Sequence, residues 1–150
     1  MDKQADVMAI LKLYELRREE KMRQARAWYF SDFAPESAMD IIEIYRSGEQ
    51  ASAHFRTVTS YWDMASSFVL NGAIDEKMFF DSGTEHIFVY TKIAPFLAEI
   101  REIFNEPEYL IHLETLAMKA PNIETKIENR KRLFALWTKE NKKISPDESE

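Results

Sequence analysis

The stretch that decides the fold runs from Gln50 to Leu70, QASAHFRTVTSYWDMASSFVL. Phe55, Val58, Trp62, Ala65 and Val69 recur at three- and four-residue steps, the period of an α-helix. Tyr61, Met64 and Phe68 widen that stripe, so the helix is expected to be buried on much of its circumference, at the centre of a bundle. Asn71-Gly72 closes it, because both residues tolerate the left-handed backbone of a helix C-terminus.

Outward from this helix the same period continues in both directions. Upstream, Val7, Ile10, Leu11 and Tyr14 open a first helix that crosses RREEKMRQAR and resumes at Met22, Ala25, Trp28 and Tyr29. The charged turn from Arg17 to Lys21 interrupts the apolar stripe and is expected to face solvent or a partner. Pro35 stops that helix and starts the next, Glu36 to about Arg46, with Met39, Ile42 and Tyr45 inward. Trp28, Tyr29 and Phe30 are consecutive and cannot share one helix face, so one of them is expected to meet a loop, a second subunit or a ligand.

Downstream, Asp75 suits the N-cap of a short helix, DEKMFFD, with Glu76 favoured in its first turn. An EF-hand beginning at Asp75 fails, because Lys77, Phe79 and Phe80 stand where two oxygen ligands and a glycine are required. Ser82 or Thr84 caps a longer helix over 85–105, in which Pro95 predicts a kink. Pro107 and Pro121 each start a further helix, the last running from about Asn122 to Lys142 with Ile123, Ile127, Phe134 and Trp137 on one face. The expected fold is all-α: a single-domain irregular helical bundle of six or seven helices over residues 1–144, followed by a frayed polar tail, 145–150.

Composition narrows the function. Hydrophobic residues at 45% and charged residues at 31% fit an ordinary globular chain, and three glycines leave few turns for a β-rich fold. There is no cysteine, so disulfides and thiolate metal sites are excluded. The longest uncharged run, Met64 to Ile74, is 11 residues, short of the roughly 20 that cross a bilayer. With no signal-peptide pattern at the N-terminus, the protein reads as cytoplasmic, without a membrane segment. The net charge of -6 argues against generic nucleic-acid binding. Residues 121–143 nevertheless carry a net +4, and residues 31–120 a net -9, so the last helix can lie against the acidic middle of the same chain or of another copy.

No chemical motif stands out. His54, His86 and His112 lack a glutamate three residues before them and form no HExxH, so no metal and no cofactor is expected. No nucleophile elbow or phosphate-cradling loop can be assembled from Gly48, Gly72 and Gly83, and no catalytic residue is assigned. Two sets of candidate residues remain. One is a ligand pocket at the Pro95 kink bordered by Tyr61, Trp62 and Tyr90. The other is an interaction surface of Arg17, Arg18, Lys21, Lys126, Arg130, Lys131 and Lys139.

The block from Tyr61 to Glu102 resembles a family of small bacterial helical proteins known only as a domain of unknown function. The shared features are the pair Tyr61-Trp62, then Gly72, Ile74, Asp75-Glu76, the aromatic Phe79-Phe80, and a longer helix with Pro95 and Arg101. The similarity extends over about residues 10–117. Some members carry a membrane segment before the domain, and none is visible here. The resemblance implies an all-helical fold and no known activity. The reading is therefore a non-enzymatic interaction or regulatory protein, self-associating through the first or last helix or binding another protein. The alternative is a small-ligand binder or enzyme using the Pro95 pocket.

Overall fold

The Gln50–Leu70 helix is the axis of the molecule, and its inward residues meet neighbours on three sides. The computed structural model of the chain describes residues 2–144, with side chains at all of these except Phe134 and 137–144. Among the described residues there are nine α-helices and no strand. They are α1 (Lys3–Arg17), α2 (Glu20–Ser31), α3 (Ala38–Arg46), α4 (Gln50–Leu70), α5 (Glu76–Ser82), α6 (Glu85–Ile93), α7 (Leu97–Phe104), α8 (Ile111–Ala117) and α9 (Ile123–Ile144). A 3-10 turn, Ala94–Phe96, joins α6 to α7. The tail expected at 145–150 lies outside the described residues.

α4 packs on α2, α8 and α3, and also touches α5 and α6. Phe55, Val58, Trp62, Ala65 and Val69 are all buried, together with Tyr29, Phe33, Ile41, Ile42, Leu113 and Leu116. The polar residues on the buried face are satisfied by backbone carbonyls, Ser52 by Tyr45 O of α3 and the others within the helix. Thr59 Oγ1 donates to Phe55 O at 2.8 Å and Ser66 Oγ to Trp62 O at 2.7 Å, which removes the cost of an unpaired hydroxyl. Met64 and Phe68, expected to widen the inward stripe, are exposed instead. Met39 is exposed as well, because Ala38, Ile41 and Ile42 take the buried face of α3.

The helix count exceeds the expected six or seven because two long helices are each broken. The first breaks at Arg18-Glu19. Like-charged pairs, Glu15–Glu19 and Arg17–Lys21, weaken a continuous helix there. In the break Glu19 adopts an extended ψ of 143° and its carboxylate accepts from Met22 N at 3.2 Å, capping α2. The second breaks at Pro95. That residue has no N–H to continue the ladder, so the chain tightens into the 3-10 turn between α6 and α7 rather than kinking one helix.

Other boundaries follow local chemistry. Asp2 caps α1, Ser37 caps α3 and Asp75 caps α5 through Met78 N at 2.9 Å. Gly72 takes φ 79° directly after the end of α4, and Ala73 N donates to Phe68 O, closing the last turn. Thr84 occupies the N-cap of α6 without a side-chain capping bond. After Pro107 the chain makes one irregular turn, and α8 begins only at Ile111 behind Leu110 in the left-handed region. Its orphan amide at Leu113 is satisfied from another helix, by Asp63 Oδ1 of α4 at 2.9 Å. α9 lies against α6 and α2.

Candidate functional site

The most developed polar constellation is built on Glu85, the first residue of α6. Arg26, on α2, donates from Nε to both carboxylate oxygens at 3.1 and 3.0 Å and from Nη2 to Oε1 at 2.5 Å. Trp62 Nε1, from α4, donates to Oε2 at 3.0 Å. Arg17, at the end of α1, places Nη1 3.7 Å from Oε1, an ion pair beyond hydrogen-bond length. Four helices thus converge on one carboxylate whose side chain is only 14% exposed. Two guanidinium groups face it, which leaves an excess of one positive charge.

This cluster forms one end of an open groove of about 490 Å³ between α1, α2 and the α5–α6 turn. Tyr14, Phe30 and Phe88 supply aromatic walls, and Ser82, Gly83 and Thr84 form the rim. Arg17 lies over the Tyr14 ring with Cζ 4.6 Å from its centroid. Tyr14 Oη in turn donates to Ser82 O at 2.8 Å. Gly83 is required here, since a Cβ on it would stand 2.2 Å from that hydroxyl.

A second feature lies behind the groove. His86 is wholly buried, and neither ring nitrogen has a hydrogen-bond partner among the described residues. Phe79, Phe80 and Trp62 surround it at centroid distances of 5.0, 5.2 and 6.2 Å. Burial lowers its pKa to about 3, with Arg130 and Lys126 of α9 pushing the same way, so the imidazole is neutral near pH 7. Lys92, on α6, is likewise lowered to about 8 by burial, against an opposing effect of Asp32. Its ammonium donates to Tyr29 O at 2.6 Å and lies over the rings of Tyr29 and Phe33. It thereby serves the C-terminal turn of α2, which has no basic residue of its own.

The four residues expected around a Pro95 pocket point to different partners. Tyr61 Oη donates to Leu13 O, tying α4 to α1, and burial pushes its pKa up to about 12. Trp62 belongs to the Glu85 cluster. Tyr90 Oη donates to Glu114 Oε2 at 3.3 Å, where Arg101 also binds Glu114 at 2.9 Å. Pro95 is exposed in the 3-10 turn.

Of the basic residues, Arg17 lies in the groove, while Arg18 and Lys21 are exposed around the α1–α2 break. Arg130 is buried with its Cζ 4.1 Å from the Phe88 centroid, Lys126 is half-buried, and Lys131 pairs with Glu128 of its own helix at 3.7 Å. The side chains of Lys139, Phe134 and Trp137 lie outside the described residues. Glu85, Arg26, Tyr14 and Gly83 were not singled out from sequence. Arg26 and Glu85 stand 59 positions apart with no local spacing to connect them. Of the three consecutive aromatics, Tyr29 is core, Trp28 stacks on Phe33 at 5.0 Å, and Phe30 reaches the groove.

Among the described residues no group of three or more His, Asp or Glu side chains is placed to hold a metal ion. Among the described residues no helix is long and apolar enough to cross a membrane. A family model for a domain of unknown function, DUF4760, matches residues 4–120. The chain belongs to that family. The DUF4760 match spans α1 through α8 and so contains the whole Glu85 cluster and its groove. No curated protein and no solved structure matches the chain.

Proposed function

We propose that this DUF4760 chain is a non-enzymatic, cytoplasmic interaction protein that self-associates through the outer face of α1. The observation that carries the reading is the exposure of Met8 (65%) and Leu11 (56%) beside Val7 (41%) on a helix whose other face buries Ile10 and Leu13. A helix on a solvated surface keeps its apolar residues to one side. Here both sides are apolar, and Val7 and Leu11 continue into a shallow groove with Met78 of α5.

A second copy is the occupant that this face fits. A two-fold axis midway between Met8 and Leu11 sets each against the other across antiparallel helices. The same register sets Gln4 of one copy opposite Glu15 of the other, and both are exposed, so the ends of the contact are polar. One helix pair gives an interface near the small end of specific ones, about 1,200 Å², which suits micromolar affinity. Lack of cysteine is consistent with a reducing compartment.

Sedimentation velocity across a micromolar concentration series tests this. The sedimentation coefficient should rise with concentration for the native chain and stay at the monomer value for Leu11→Lys, with unchanged helicity. A native chain that remains monomeric throughout the series refutes the reading.

A further inference from the structure

We propose that the groove beside Glu85 is a binding site for a small aromatic monocarboxylate, recognised by Arg17. Both oxygens of Glu85 are already engaged by Arg26 and Trp62 at 2.5–3.1 Å. The Arg17 guanidinium, 3.7 Å away, makes no hydrogen bond among the described residues and its side chain is 24% exposed. The single unneutralised charge of the cluster therefore belongs to Arg17, at the groove surface.

Arg17 Cζ lies over the Tyr14 ring at 4.6 Å, which holds the guanidinium at the groove wall, and its N–H donors lie in its own plane, along the edge. A fork of this shape matches a carboxylate through two parallel hydrogen bonds. Glu85 sets the charge limit: a dianion would meet its carboxylate across Arg17, whereas one negative charge balances the cluster. Aromatic rings on two sides favour a flat, apolar body behind the acid group. The groove volume of about 490 Å³ accommodates one or two fused rings, within the rough 300–1,000 Å³ of small-molecule sites.

The site does not depend on self-association, because the apolar face uses Val7, Met8 and Leu11 and the acid site uses Arg17. Binding and subunit count are measured separately. The test is calorimetric titration of the full chain with naphthoate, alongside naphthamide and inorganic phosphate. Heteronuclear NMR of the Trp62 indole N–H reports whether the acid settles beside Glu85.

Naphthoate should bind once per chain and shift the Trp62 signal. Naphthamide and Arg17→Gln should each weaken binding by about tenfold or more, the loss of a charge-assisted pair, while Lys21→Gln leaves it unchanged. Arg17→Lys keeps the charge without the fork, so it should bind with intermediate affinity, and it replaces Arg17→Gln if that variant does not fold. Absence of naphthoate binding at millimolar concentration, equal affinity for the amide, preference for phosphate, or full affinity in both folded Arg17 variants would overturn the assignment.

Discussion

Acidification should destabilise this protein through His86 before most carboxylates titrate, and the size of the effect follows from where the ring sits. The imidazole is inaccessible to solvent, ringed by Trp62, Phe79 and Phe80, and its pKa is lowered from 6.5 to about 3 by burial, with Arg130 and Lys126 adding to the shift. Above pH 6.5 the ring is neutral in the folded and unfolded chains alike, and its titration costs nothing. Below that value the unfolded chain takes up a proton that the folded chain refuses until pH about 3, so stability falls as pH falls through this window. Each pH unit inside it corresponds to about 1.4 kcal/mol, so a step from pH 7 to pH 5 should cost about 2 kcal/mol from this residue. His86→Met keeps an apolar side chain of similar reach among the rings. It should remove that share of the acid sensitivity and, by deleting two unpaired buried nitrogens, stabilise the fold by about 1 kcal/mol at pH 7. Urea denaturation of both chains at the two pH values measures the double difference. Equal losses for native protein and variant would refute the buried neutral imidazole.

Three further expectations concern the Glu85 cluster and its surroundings. Arg26→Met leaves Glu85 half-satisfied in a poorly solvated position and should cost about 3 kcal/mol by chemical denaturation, with part recovered on adding Glu85→Gln. Gly83→Ala drives a Cβ into the Tyr14 hydroxyl and should cost about 1–2 kcal/mol, a loss that Tyr14→Phe relieves because the clashing oxygen is gone; thermal melts of the single and double variants decide it. Asp63→Ala removes the side-chain acceptor of the Leu113 amide and should cost about 1 kcal/mol, with faster amide exchange confined to the first turn of α8.

Much of the fold was legible because its signals are local. The Phe55-to-Val69 period, the Asn71-Gly72 stop and the Asp75 cap all act within one or two turns, and each is found where the pattern put it. The breaks at Arg18-Glu19 and Pro95 were less legible. Apolar spacing survives both interruptions, and whether a helix bends or restarts depends on what Glu19 and the Ala94–Phe96 turn can satisfy. Met39, Met64 and Phe68 show the limit of periodicity: a residue at the margin of a stripe is buried only if a neighbouring helix reaches it. The Glu85 cluster was not legible as a cluster, because Arg17, Arg26, Trp62 and Glu85 come from four helices and meet only after packing, and Arg17 and Trp62 stand out in the sequence only separately. Trp62 was singled out for its aromatic ring, and the structure gives its indole N–H a carboxylate partner.

The most direct measurement of the central claim exploits the absence of cysteine in the chain. Met8→Cys and Leu11→Cys are prepared as separate proteins, mixed in the micromolar range and exposed to mild oxidant. In an equimolar mixture, antiparallel pairing through α1 predicts that the mixed disulfide between one copy at position 8 and another at position 11 forms well beyond the twofold statistical excess over either like-with-like disulfide. A statistical one-to-two-to-one yield of the three, or no covalent dimer, would contradict it.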